Sequence, residues 1–168
     1  MLSVIQERRK EMNFLESLAA EYYEYLGYYV RSNIKARKRN LGGWDAELDV
    51  LAFMPNTKEL LHIETSGDAL SWPKRKERFL TKKFMLDDAE YAAIVGSEVG
   101  NIRRMAIVGF QKATQADLSW GNGIEVILLP TFFKEIAAKL KTKHPMKEAI
   151  PEGMPLLRSM QMVLWYGQ

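Results

Sequence analysis

Between Gly42 and Ser66 the sequence GGWDAELDVLAFMPNTKELLHIETS carries acids at positions that an apolar core does not explain. Asp45, Glu47 and Asp49 alternate with Ala46, Leu48, Val50 and Ala52, a period-two pattern that predicts a strand with the acids on one face. Met54-Pro55-Asn56-Thr57 supplies a turn. Leu60, His62, Glu64 and Ser66 then alternate with Leu61, Ile63 and Thr65, predicting a second strand. Paired strands lie about 4.8 Å apart, so Asp49 and Glu64 can stand side by side and share one divalent cation. His62 shares the face of Glu64 and reads as a hydrogen-bonding residue rather than a ligand.

Other chemistries find less support. Cysteine is absent and His62 and His144 are far apart in sequence, which argues against a zinc hydrolase. Gly121-Asn122-Gly123 lacks the further glycine of a dinucleotide loop, and neither a phosphate-binding G-x-x-x-x-G-K loop nor a nucleophile elbow occurs. The absence of cysteine suits a reducing compartment. No apolar run is long enough to span a membrane, and MLSVIQERRKEMNF lacks the pattern of a secretory signal, so a cytoplasmic location is expected.

The net charge is only +3, but the cations are clustered. Arg31, Lys35, Arg37, Lys38 and Arg39 precede the acidic strands; Lys74, Arg75, Lys76, Arg78, Lys82 and Lys83 follow them. Cations on both sides of a carboxylate pair suit a polyanion such as DNA, although charge runs also form ordinary solvated faces.

The elements that would position these groups follow from periodicity. Leu2 to Leu26 reads as a long helix, with Leu15, Ala19, Tyr22, Tyr23 and Leu26 on one face together with Met12, and Gly27 ending it. An extended segment from Tyr28 enters the first basic cluster. After Gly67 and Asp68, Ser71 and Pro73 open a helix carrying Lys74 to Lys83. A short helix is expected over 89–95, strands over 105–110 and 124–129, and helices from Pro130 and from Pro155 to Tyr166. The whole chain, 1–168, reads as a single α/β domain. Its helix-strand-strand-strand-helix-strand (αβββαβ) core predicts a mixed sheet flanked by helices, with further helices at the C-terminal end.

Glu16 on the first helix ahead of Gly27-Tyr28, Glu47-Leu48-Asp49-Val50 on one strand, and Ile63-Glu64-Thr65 on the next together resemble the PD-(D/E)xK nuclease superfamily. The similarity extends over about Phe14 to Phe110 and is nearest the branch of Holliday-junction resolvases and type IV restriction nucleases. It implies a restriction-endonuclease-like fold and hydrolysis of DNA phosphodiesters. Asp49, Glu64 and the Thr65 carbonyl would hold Mg²⁺ or Mn²⁺, with Glu16 assisting and Glu47 in an outer position. Lys35, Arg37, Lys38, Arg39, Lys74, Arg75 and Arg78 would meet the nucleic acid, with Gly43 allowing close approach of backbone. Cutting both strands of a duplex would suit a homodimer.

One position departs from the motif. Ser66 stands where these nucleases usually carry lysine, and a hydroxyl supplies no positive charge. The following helix offers replacements, and Lys76 is the expected one because Phe79 and Leu80 share its face at helical spacing. The alternative is a catalytically impaired nuclease fold that serves as a DNA-binding or scaffold module. Trp44 and Trp72 read as packing anchors.

Overall fold

The structure, a computed structural model, describes residues 13–67, 70–109 and 118–167. It is an α/β domain built on a five-stranded mixed sheet in the order β1-β2-β3-β4-β5. The strands are β1 (Tyr29–Lys38), β2 (Trp44–Met54), β3 (Glu59–Ser66), β4 (Asn101–Val108) and β5 (Ile124–Leu128). β1 to β3 form an antiparallel meander, whereas β4 and β5 run parallel to β3. The reversal needs a crossover between β3 and β4, made by α2 (Trp72–Arg78), a π-helical turn (Phe79–Lys83) and α3 (Asp88–Val95). The remaining helices are α1 (Phe14–Tyr25), α4 (Leu129–Leu140) and α5 (Pro155–Tyr166).

Alternation along the strands divides the core into two layers. Val50, Ala52, Leu61, Ile63, Met105 and Ile107 pack under α1, α4 and α5 against Leu15, Tyr22, Phe132 and Leu157. On the opposite face, Leu48, Leu51, Phe53 and Leu60 meet Leu86 and Tyr91, while Ala106, Val108 and Ile124 meet Phe79 and Trp120. Truncating a fully buried member such as Ile63 to alanine would cost about 2–5 kcal/mol. α5 buries Leu157 and Gln161 on the side facing the sheet layer and leaves Val163 and Tyr166 exposed.

Local signals explain most boundaries. Asn13 caps α1 through Leu15 N and Glu16 N, and Glu16 returns the bond, a capping box. Asp87 and Glu90 repeat the arrangement on α3, which ends at Gly96 in a left-handed conformation with φ 73°. The part of the first predicted helix before Asn13, including Met12, lies outside the described residues, as do Asp68 and Phe110. β4 begins four residues before the expected apolar run. Its polar start, Arg103 and Arg104, is accommodated because both side chains find acids, Glu125 and Asp88.

Two irregularities shape the site. The β2–β3 ladder runs from Met54↔Glu59 to Val50↔Ile63 and stops there, so the strands part beside Asp49 and Glu64. β2 continues beyond that point paired only with β1. Ala46 and Leu48 share a cluster with Leu51 and Phe53, so strict alternation slips across Asp49 and Val50. Opposite them Asn33 has φ 53°. Asp45, Glu47 and Asp49 precede the slip and keep the side opposite Ala46 and Leu48, whereas the expectation that Val50 and Ala52 share the face of Ala46 and Leu48 is corrected.

Candidate functional site

At the C-terminal end of β3, where β2 and β3 separate, an open cleft of about 550 Å³ is lined by Asn13, Phe14, Glu16, Asp49, Ser66, Arg78 and Lys83, among others. Side chains take over from the interrupted ladder. Asp49 N–H donates to Glu64 Oε1 at 3.2 Å. Asp49 Oδ2 accepts from the Thr65 amide at 2.9 Å and its hydroxyl at 3.3 Å. Asp49 and Glu64 are thus brought together and both are buried.

The cation between them is Lys83. Its Nζ lies 3.0 Å from Asp49 Oδ1 and 2.6 Å from Glu64 Oε2. The second contact is an ion pair rather than an aligned hydrogen bond. Burial pushes the Glu64 carboxyl up to about 8, with the Asp49 charge acting in the same direction and Lys83 opposing. Burial opposes the charge on Lys83, but Glu64 and Asp49 outweigh it and hold the ammonium above its ordinary range.

Lys76, the residue expected here from sequence, lies elsewhere: its Nζ donates to the Ser119 carbonyl at 3.1 Å. The physical reason is the π-helical turn, closed by Phe84 N–H on Phe79 O at 3.2 Å. A π turn closes on the fifth residue, so Arg78 and Lys83 both reach the cleft where a regular helix would splay them apart. Phe79 packs on Trp120 and Phe84 on His62, which anchors the turn on either side of Lys83. Ser66 accepts a bond from Arg78 Nη2 at 3.1 Å. The serine thus positions one cation of the cleft while Lys83 supplies the other.

Glu16 lines the same cleft, but its carboxylate is engaged by Asn13 in the α1 capping box. Glu47 is not among the cleft-lining residues and stands opposite Lys35 in the β1–β2 register. In the first basic cluster two arginines are matched by acids. Arg37 forms two bonds to Glu90, at 2.6 and 2.8 Å, and Arg39 pairs with Asp45. Lys35 and Lys38 are exposed on β1, and Gly43, with φ 84°, sits in the hairpin turn. None of these five lines the cleft. In the second cluster Lys74 is exposed, whereas Arg75 is fully buried with its guanidinium over the Trp72 ring. That placement corrects its expected role as a surface contact to nucleic acid. Trp72 also packs edge-on against Trp120, as expected of an anchor, whereas Trp44 is 42 % exposed.

His62 is fully buried and uses both ring nitrogens, Nε2 at 2.8 Å from Glu64 Oε1 and Nδ1 at 2.6 Å from the Tyr91 hydroxyl. Burial holds its pKa down at about 3, so the imidazole is neutral.

Among the described residues no three Asp, Glu, His or Cys side chains converge as a metal-holding group. The acid pair nevertheless offers two hard oxygens, Asp49 Oδ1 and Glu64 Oε2, already drawn to one positive group. Magnesium commonly takes only one or two protein carboxylates, the rest of its shell being water and substrate oxygen, so the donor set fits such an ion. The fold and site therefore define an α/β protein with a carboxylate–lysine cluster at the edge of an open cleft. Compared with protein-family models and with curated protein sequences, the chain matches none. No helix among the described residues is long and apolar enough to cross a membrane.

Proposed function

We propose that this chain is a metal-dependent DNA endonuclease of restriction-endonuclease-like fold that hydrolyses phosphodiester bonds. The observation that carries the reading is Lys83, which reaches from the π turn to bracket Asp49 and Glu64 beside the cleft. It supplies, from a different element, the charge that Ser66 lacks. Asp49, Glu64 and the Thr65 carbonyl would hold Mg²⁺ or Mn²⁺, which when bound polarises the phosphate and lowers the pKa of a water. Lys83, released from part of its carboxylate pairing, orients that water and stabilises negative charge on the phosphate. Arg78, steadied by Ser66, meets a neighbouring phosphate oxygen. Lys35, Lys38 and Lys74 add attraction to the DNA backbone that weakens with salt. A homodimer would place two such clefts on one duplex.

The test is cleavage of supercoiled, linear, single-stranded and branched DNA with Mg²⁺ or Mn²⁺. Wild-type protein is expected to nick or cut, whereas Asp49→Asn and Glu64→Gln are expected to be inactive yet folded. Cutting that persists in both variants would overturn the site. The second reading, a DNA-binding or scaffold module without catalysis, is favoured by Lys83 already standing between the two acids where a cation would bind. It predicts salt-sensitive DNA binding with no cutting of any substrate.

A further inference from the structure

We propose that His62 is a positioning residue that holds the Glu64 carboxylate in one orientation, Oε1 turned inward and Oε2 turned toward Lys83 and the cleft. The inference rests on the reading of the acid pair as a cation site and deepens it.

The orientation follows from counting donors at each oxygen. Glu64 Oε1 accepts the Asp49 amide at a long 3.2 Å and stands 2.8 Å from His62 Nε2. Glu64 Oε2 meets Lys83 Nζ at 2.6 Å. Without His62 the inward oxygen keeps only the weaker bond, and the carboxylate gains freedom to rotate about its last torsion.

The same geometry assigns a direction to each hydrogen bond once Glu64 is ionised. In the ionised form of Glu64 that a cation site requires, Oε1 can only accept, so His62 Nε2 is assigned the proton and donates. Nδ1 is then the acceptor and the Tyr91 hydroxyl donates to it at 2.6 Å. The Arg104 guanidinium lies over the Tyr91 ring, with Cζ 5.8 Å from its centroid. Its positive charge favours the hydroxyl oxygen facing it and the hydroxyl proton facing His62. Tyr91 therefore selects the imidazole tautomer, and the imidazole aligns the acid. Carboxylate and histidine ligands at metal sites are commonly held by outer hydrogen bonds of this kind.

Packing alone does not account for the histidine. Its ring meets Phe84 and Tyr91 edge-on, at 4.9 and 5.6 Å between centroids, contacts an apolar side chain would also make. Burying a polar ring there is unfavourable unless both nitrogens are bonded, as they are.

The experiment compares wild-type protein with His62→Leu, His62→Gln and Tyr91→Phe, each first shown to be folded by its thermal transition. Electron paramagnetic resonance with Mn²⁺ alone reads cation affinity. His62→Leu is expected to weaken Mn²⁺ binding about 10–100-fold. Tyr91→Phe is expected to weaken it less, and His62→Gln, which keeps an N–H donor, to recover most of it. ¹⁵N NMR is expected to show the Nε2–H tautomer of His62 in the wild type. Equal Mn²⁺ affinity in all folded variants, or a dominant Nδ1–H tautomer, would overturn the proposal.

Failure of wild-type protein to bind Mn²⁺ would refute the cation-site reading instead. Crystal structures of wild type and His62→Leu, or Tyr91→Phe where His62→Leu does not fold, then decide the orientation without metal. A Glu64 carboxylate rotated away from Lys83 in the variant supports the proposal; one left unmoved sinks it.

Discussion

The two ends of β3 carry carboxylate–cation clusters that behave in opposite ways. At the start of the strand Glu59 accepts from Tyr28 OH at 2.7 Å and lies 3.5 Å from Arg103, which grips Glu125 through two bonds of 2.8 Å. Arg103 and Glu125 are 38 and 42 % exposed. The hydrogen bonds from Arg103 hold the Glu125 carboxyl below its ordinary range, with burial only partly opposing. At the other end Glu64 has no exposed side-chain surface, and burial pushes its carboxyl up although Lys83 is closer than Arg103 is to either of its partners. Solvent access, rather than the presence of a cation, sets the sign. The exposed cluster fastens strands together, whereas the buried one holds a carboxyl that resists ionisation beside a cleft.

That contrast is broken most directly by removing the central cation at each end. Lys83→Met is expected to reduce DNA cleavage about 100–1000-fold. Arg103→Ala is expected to leave cleavage unchanged in the same assay. Equal losses would show that the two clusters do not differ in function.

The pH dependence of stability is the next largest effect. His62 has its folded pKa lowered, from 6.5 to about 3, so its contribution is present above about 6.5 and is lost as pH falls toward 3. Glu64 has its folded pKa raised, from 4.5 to about 8, so its contribution is present below 4.5 and is lost as pH rises through about 8. Thermal midpoints measured from pH 4 to 9 should therefore fall less steeply toward acid in His62→Gln and less steeply toward alkali in Glu64→Gln. Glu125→Gln should leave the alkaline limb as it is in the wild type, because its carboxyl is shifted downward.

Smaller effects sharpen the comparison. Arg103→Ala should lower stability by no more than about 1 kcal/mol, as exposed pairs do, and less at high salt. Lys76→Ala, remote from both clusters, should change stability by less than about 0.5 kcal/mol and leave cleavage intact.

Much of the fold was legible in the residues because it depends on local periodicity. Alternation located β2 and β3, and Pro155 to Tyr166 matches α5, whereas the capping boxes that start α1 at Asn13 and α3 at Asp87 went unread. The pairing of Asp49 with Glu64 was readable for the same reason, since a turn between two alternating strands brings a small set of residues opposite each other. Lys83 was not. Its place depends on a π turn, and helical spacing counted at 3.6 residues per turn selects Lys76 instead. Arg75 was likewise invisible as a buried residue, because one more cation in a basic run looks solvated until a tryptophan covers it.

By itself, then, the sequence determined which acids could meet and that Ser66, rather than a cation, follows Glu64 on the same strand face. Only the tertiary structure decided which cation stands there and why Glu64 is hard to ionise. Strand alternation is a local property, readable from neighbours in the chain. Desolvation and the approach of Lys83 and Tyr91 arise from elements that meet only when the crossover packs on the sheet.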